Sequence, residues 1–290
     1  MHAFRAAPAL LLRRLAAFLL LVGLLSACTT QAVMEPAVAP LISDKYAAIV
    51  VDARSGRVLY ERASNAPRYP ASLTKMMTLY LLFEALDEGR VRLDEEIPVS
   101  AFAASRPPSK MGIKRGGSID ARSAVLALAV RSANDVAVAV AERLAGSEEA
   151  FARSMTLKAR QLGMTGTVFR NASGLPDDGQ RTTARDMAVL AMALRNRFPH
   201  HYHYFANREF AFGGKIVRGH NSLLGRIPGV DGLKTGYIRA SGFNLATSAG
   251  RGGRRVVAVV MGGESARARD EHMVSLIETY LPRAAAGAGQ

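Results

Sequence analysis

Residues 46–52 (YAAIVVD) and 57–61 (RVLYE) are rich in β-branched and aromatic residues, and Ala53-Arg54-Ser55-Gly56 between them is a turn signal. Together they predict a β-hairpin. Pro70-Ala71-Ser72 then opens a long run, residues 72–88 (SLTKMMTLYLLFEALDE), that is apolar nearly all round. Such a helix has no solvent face and is expected inside the protein. From residue 93 to about residue 199 the pattern is mostly helical. Residues 120–130 carry helical periodicity, and residues 134–144 are Ala/Val-rich and stop at Gly146. Residues 147–162 start on a capping Ser147 and end at Gly163. Thr183-Ala184-Arg185-Asp186 resembles a capping box with Asp in place of Glu, opening a helix to about Arg197. Strand character returns after Asn207, over residues 209–217, 230–238, 243–248 and 255–261. The last run is apolar at almost every position, as an internal strand would be. An amphipathic helix over residues 266–280 closes the chain. The simplest packing is one antiparallel sheet built from both chain ends and flanked by helices, with a mostly helical lobe (about 93–207) inserted.

The first 27 residues depart from this pattern. They contain Arg5, Arg13 and Arg14, no acid, and a continuous apolar stretch over residues 15–25 (LAAFLLLVGLL). A membrane-spanning helix needs about 20 apolar residues, so this reads as an export signal. The only cysteine, Cys28, follows Leu25-Ser26-Ala27 directly. That resembles a lipobox, in which the cysteine is diacylated and becomes the new N-terminus; two chains anchor stably where one is marginal. The alternative is ordinary cleavage after Ala32, with Cys28 discarded. Residues 28–44 are small and Pro-containing and read as a tether. Residues 45–283 form the folded domain and 284–290 a tail. Localisation is then periplasmic, with lipid anchoring to a bacterial membrane.

The chain has 290 residues, 49% of them apolar, enough for one or two domains. One cysteine excludes an intramolecular disulfide and any multi-cysteine metal site. The net charge of +14 suits work beside anionic lipid or an anionic wall polymer. Nucleic acid is not expected as a partner, because an exported protein does not meet it and no helix-turn-helix or RNA-recognition motif is present.

Three short motifs carry the chemistry. Ser72-Leu73-Thr74-Lys75 is S-x-x-K, Ser132-Ala133-Asn134 is S-x-N, and Lys234-Thr235-Gly236 is K-T-G. Each is weak alone; together, in this order and behind an export signal, they are specific. Ser72 and Lys75, at i and i+3, share a helix face, so the amine reaches the hydroxyl. Ser72 in the first turn also sits at the positive end of the helix dipole. Lys75 is useless as a base while protonated; burial and a neighbouring cation such as Lys234 would lower its pKa. Lys234 and Thr235 offer a cation and a hydroxyl to a carboxylate, and Gly236 lets the strand edge approach closely.

With Pro70–Met77 (PASLTKMM), Asn171-Ala172-Ser173-Gly174-Leu175 and Asp231–Tyr237 (DGLKTGY), the chain resembles the low-molecular-mass penicillin-binding proteins, the serine-type D-alanyl-D-alanine carboxypeptidases. The resemblance runs from about Lys45 to Leu281. It implies an α/β fold of the α+β type, the transpeptidase-like fold shared with β-lactamases. It implies Ser72 as nucleophile, Lys75 as base and Ser132 as proton relay. Asn134 would hold the substrate amide, Lys234 and Thr235 would bind the terminal carboxylate with Gly236 close to the substrate backbone, and the N–H groups of Ser72 and Tyr237 would form the oxyanion hole. Arg255 is a candidate for added positive field. The partners implied are peptidoglycan stem peptides, with β-lactam antibiotics as inhibitors, and no cofactor is required. The runner-up activity is a D,D-endopeptidase cutting cross-links with the same residues. A class A β-lactamase would need a deacylating glutamate, and residues 164–176 contain none. A wall-binding module would not need an intact nucleophile set.

The cluster His200, His201 and His203 invites a metal, but no H-E-x-x-H is present and no carboxylate follows at ligand spacing before Glu209. A surface loop and no metal are expected there.

Overall fold

The protein is described by a computed structural model over residues 44–287. The leader, the tether apart from Asp44, and Cys28 lie outside the described residues. Strands β1 (Ala47–Asp52) and β2 (Val58–Arg62) come first, and a 3-10 turn (Ala71–Thr74) leads into α1 (Lys75–Asp87). The middle holds β3 (Glu96–Pro98), α2 (Ala101–Ala104), β4 (Ser118–Asp120), α3 (Ala121–Leu126), α4 (Asn134–Ala145), α5 (Glu148–Gln161) and α6 (Ala184–Arg197). There follow β5 (Glu209–Phe212), β6 (Lys215–Arg218), β7 (Val230–Ile238), β8 (Gly242–Arg251), β9 (Arg254–Gly263) and α7 (Ala266–Tyr280).

Both chain ends build one five-stranded antiparallel sheet, in the order β2-β1-β9-β8-β7. Ile49 faces Val259 across the β1–β9 pair, and Lys234 faces Ala246 across β7–β8. Central β9 explains its own lack of alternation. Val257, Val259 and Met261 join a core shared with α1, α4 and α6. Val256, Ala258 and Val260 join a second core with Met273, Leu276 and Ile277 of α7. With helices on both faces, no position of the strand is left for a polar residue. Helix α1 is buried along almost its whole length, as its all-round apolar pattern requires.

Four local expectations are corrected. Residues 209–217 are not one strand: Gly213 and Gly214 take φ of +55° and +73° and turn the chain into the β5–β6 hairpin. Two successive positive φ values are what a tight hairpin turn demands, and glycine supplies them without a steric penalty. The helical block contains a small β3–β4 sheet whose strands are three residues each, too short for a period to register. The helix over 120–130 divides into α3 and a π-turn, Ala127–Arg131, ending at Ser132 in the left-handed region. Residues 284–287 are not a free tail. Ala284 is buried, Ala285 N–H donates to Asp52 Oδ2 at 2.9 Å, and Gly287 N–H donates to the Gly253 carbonyl at 2.8 Å.

Candidate active site

Ser72 lies one turn earlier than expected, in the 3-10 turn rather than in α1 itself. The change improves the reach of Lys75. A 3-10 turn has three residues per turn, so i and i+3 eclipse, and Lys75 Nζ lies 3.2 Å from Ser72 Oγ. The turn is forced by Ala71, whose φ of +47° is left-handed, a conformation costing a non-glycine residue about 1–2 kcal/mol. Two braces hold it. Asn244 Nδ2 donates to the Tyr69 and Pro70 carbonyls at 3.1 and 3.2 Å. On the other side Gly174 passes so close that a Cβ there would stand 1.8 Å from the Ala71 carbonyl oxygen.

Lys75 is fully buried yet has no ion-pair partner among the described residues. Its Nζ is 2.7 Å from Asn134 Oδ1 and 2.5 Å from the Ser173 carbonyl oxygen. Burial pushes its pKa well below the usual lysine range, the Lys234 charge pushes the same way, and Asp135 and Glu148 oppose. A neutral amine has two N–H groups and one lone pair. The two carbonyl-type oxygens accept both N–H groups, which leaves the lone pair for the Ser72 hydroxyl. The geometry therefore leaves the lone pair of a neutral Lys75 amine facing the Ser72 hydroxyl.

The S-x-N motif joins the same centre. Ser132 has φ of +63°, a second left-handed non-glycine residue beside the reacting groups. Asn134 accepts from Lys75 through Oδ1, and its Nδ2 donates to the Pro107 carbonyl at 2.9 Å, which leaves one amide hydrogen and one oxygen lone pair facing the cleft. The next residue, Asp135, is fully buried and accepts from Met111 N–H and Gly112 N–H at 3.0 and 2.8 Å, pinning that loop to the start of α4.

On β7, an edge strand of the sheet, Gly236 runs beside the nucleophile; a Cβ there would be 3.0 Å from Ser72 N. Lys234 is buried, and its Nζ donates to the Thr235 carbonyl at 2.9 Å. Burial and the Arg269 guanidinium lower its pKa to about 7. Ser72, Ser132, Asn134, Thr235, Gly236 and Tyr237 line one cleft of about 390 Å³. Lys75 and Lys234 lie behind it. Tyr237 is exposed and packs on Phe243 at 4.3 Å between ring centroids.

The comparisons agree with this geometry. The family profile of the D-alanyl-D-alanine carboxypeptidases, a group of serine peptidases, matches residues 33–265. The chain belongs to that family. It is 33% identical over 243 residues to the D-alanyl-D-alanine carboxypeptidase DacF of Bacillus subtilis, covering 82% of this chain and 62% of that relative's length. The crystal structure of the D-alanyl-D-alanine carboxypeptidase DacD from Francisella tularensis superposes with a TM-score of 0.80 at 30% identity, covering 85% of this chain and 72% of that one. Penicillin-binding protein D2 from Listeria monocytogenes, solved in an ampicillin-bound form, gives 0.71 at 32% identity, covering 80% and 95%.

In this member of the carboxypeptidase family the structure relocates one expected site residue and adds several. Arg255 does not line the cleft. Its Nη1 pairs with Asp231 Oδ2 at 2.5 Å and Ser248 Oγ at 2.9 Å, so its charge is spent on the far part of β7. The cation that does line the cleft beside Lys234 is Arg269, from α7, with its Nε and Nη2 on Asp270 and its Nη1 on the Asn244 carbonyl at 3.1 Å. His220 lines the cleft as well. Glu148 is a carboxylate behind the loop that follows α5. It accepts from Ala172 N–H at 3.0 Å, while Thr78 Oγ1 donates to the Ala172 carbonyl at 2.7 Å. Burial raises the Glu148 pKa. The Ser147 cap that opens α5 is legible in sequence; the contact it positions, 24 residues on, is not.

Proposed function

We propose that this chain is a serine D,D-carboxypeptidase that removes the terminal D-alanine from peptidoglycan pentapeptide stems through an acyl-enzyme on Ser72. The observation that carries the reading is the buried Lys75 amine, with its two N–H groups accepted by Asn134 and Ser173 and its Nζ 3.2 Å from Ser72 Oγ. Ser72 Oγ attacks the carbonyl carbon of the D-Ala–D-Ala bond and its proton passes to Lys75. The oxyanion forms against the N–H groups of Ser72 and Tyr237; one such donor contributes about 3–4 kcal/mol. When the tetrahedral intermediate collapses, the C–N bond breaks and Ser132 passes a proton to the departing amine. Water then cleaves the ester. Lys234 and Thr235 give the cleft the cation and the hydroxyl that the terminal carboxylate needs, and Gly236 lets the substrate backbone lie along β7. Asn134 acts on Lys75 in this scheme, with one amide hydrogen left for the substrate. β-Lactams acylate the same serine, a reading supported by the ampicillin-bound form of the Listeria relative.

The test uses a muropeptide ending in D-Ala–D-Ala and a cross-linked dimer, each incubated with purified protein and read by mass, with Ser72→Ala as the blank. Loss of one alanine from the monomer supports the carboxypeptidase. Dimer cleavage as the main product replaces it with the endopeptidase. No change in either, with folded protein, overturns both. Arg255→Ala should leave acylation by a fluorescent penicillin within about twofold, because Arg255 is outside the cleft. Its loss should lower unfolding free energy in urea by about 1.5–3 kcal/mol, the contribution of hydrogen bonds to a charged group. The apolar leader and Cys28 support export and lipid anchoring; palmitate labelling, and its loss in Cys28→Ser, tests this.

A further inference from the structure

Asp87 is the last residue of α1, and His200 and His201 follow α6. Sequence spacing offered these histidines no carboxylate; the fold supplies one from 113 residues away. Among the described residues, these three are the one group of metal-ligating side chains whose donor atoms lie within 4.8 Å of one another. Both imidazoles turn the same nitrogen to the same oxygen: His200 Nε2 is 2.8 Å and His201 Nε2 3.0 Å from Asp87 Oδ1. His201 is buried, and Asp87 and His200 lie at the surface beside it. The His201 ring is stacked on buried Phe83 at 4.8 Å and 19°, which fixes its direction. The loop is closed by His203, whose Nδ1 bonds the His200 carbonyl at 2.8 Å. His200 is exposed, and a surface groove lined by Leu86, Asp87, Val91, Arg92 and His201 gives access from solvent.

We propose that Asp87, His200 and His201 bind a divalent cation of the zinc class. Two imidazole nitrogens and one carboxylate oxygen suit zinc, and three protein ligands leave a position for water. Tetrahedral zinc at its usual bond lengths needs donor atoms about 3.3 Å apart. The two separations from Asp87 Oδ1, 2.8 and 3.0 Å, are a few tenths of an ångström short, and a small rotation of the exposed Asp87 carboxylate opens both. The ion takes the place of the protons that Nε2 otherwise directs at Asp87. It ties the C-terminal end of α1 to the chain after α6. Lys75 lies at the other end of that helix, roughly 18 Å away at 1.5 Å per residue. The ion is a brace and takes no part in the cleft chemistry, so its test does not depend on the proposed activity.

The experiment titrates chelator-stripped, tag-free protein with ZnCl₂ by calorimetry, and separately with MgCl₂. One zinc per chain is expected, with a raised melting temperature; magnesium, which prefers all-oxygen coordination, should give neither. Asp87→Asn and His200→Ala should each weaken zinc binding by at least about tenfold, with unchanged circular dichroism. Asp87→Asn keeps an acceptor for both histidines, so it separates ligand loss from misfolding. Absence of a zinc isotherm overturns the proposal, and so does zinc binding that both variants leave unchanged.

Discussion

Lys75→Met is expected to slow penicillin acylation of Ser72 by a factor on the order of 10³, the range over which a positioned general base acts. Methionine fills a similar volume and removes the lone pair that faces Ser72 Oγ. It also leaves Asn134 Oδ1 and the Ser173 carbonyl without their donor, at a cost of about 1–3 kcal/mol for each acceptor left unpaired. Lys75→Arg separates the two effects. A guanidinium still donates to both oxygens but does not surrender its proton at working pH, so Lys75→Arg should be as slow as Lys75→Met. If Lys75→Arg acylated at the normal rate, Lys75 would be a charge and not a base.

The pH profile follows in sign from the same environment. Burial and the Lys234 charge hold the Lys75 pKa below its ordinary value, so the reactive neutral amine is already present where a free lysine is still protonated. Acylation should rise as pH climbs through that lowered pKa and then level off. Lys234→Gln removes a cation that depresses it and should move the acid limb to higher pH, which stopped-flow acylation across pH would record. The same depression ties stability to pH. The unfolded state binds more protons than the folded state between the lowered and ordinary lysine pKa values, so this group's contribution grows as pH rises through that window.

The parts of the fold with strong local patterns were legible in the chain. β9 is apolar at nearly every position because helices cover both of its faces, and α1 is apolar all round because it crosses the interior. The three motifs were legible because serine, lysine and glycine at those spacings have few other reasons to occur together. What escaped was long-range. Asp87 meets His200 and His201, and Glu148 meets Ala172, through packing that no local period encodes. Arg255 misled because it opens the strand next to β8 and its charge is visible in sequence. Its partner Asp231, which takes that charge away from the cleft, is fixed only by register. For Asn134 the place in the motif was plain, and the bond from Lys75 to its carbonyl oxygen is a further contact that spacing does not show.

Gly174 lies in a segment that carries the family resemblance, and its substitution tests what the glycine itself does there. Its φ is +86°, and a Cβ there would meet the Ala71 carbonyl oxygen at 1.8 Å and Ser72 N at 3.0 Å, both backbone atoms without a rotamer to yield. Gly174→Ala therefore has to move one of two things. If the 173–175 loop retreats, the Ser173 carbonyl leaves Lys75 Nζ, and one N–H loses the acceptor that keeps the lone pair on Ser72. If the turn retreats, Ser72 moves off both Lys75 and β7. Either displacement is of the size that costs on the order of 10² in rate. The left-handed penalty and overpacking together should lower stability by about 2–4 kcal/mol. Gly214→Ala is the matched control: its φ is +73°, but nothing lies within 4 Å of the added carbon. It should cost only about 1–2 kcal/mol of strain and leave acylation unchanged. If the two variants lose stability together and both acylate normally, Gly174 answers only to its own backbone. If Gly174→Ala alone loses acylation, a residue with no side chain sets the position of the nucleophile, by leaving room for it.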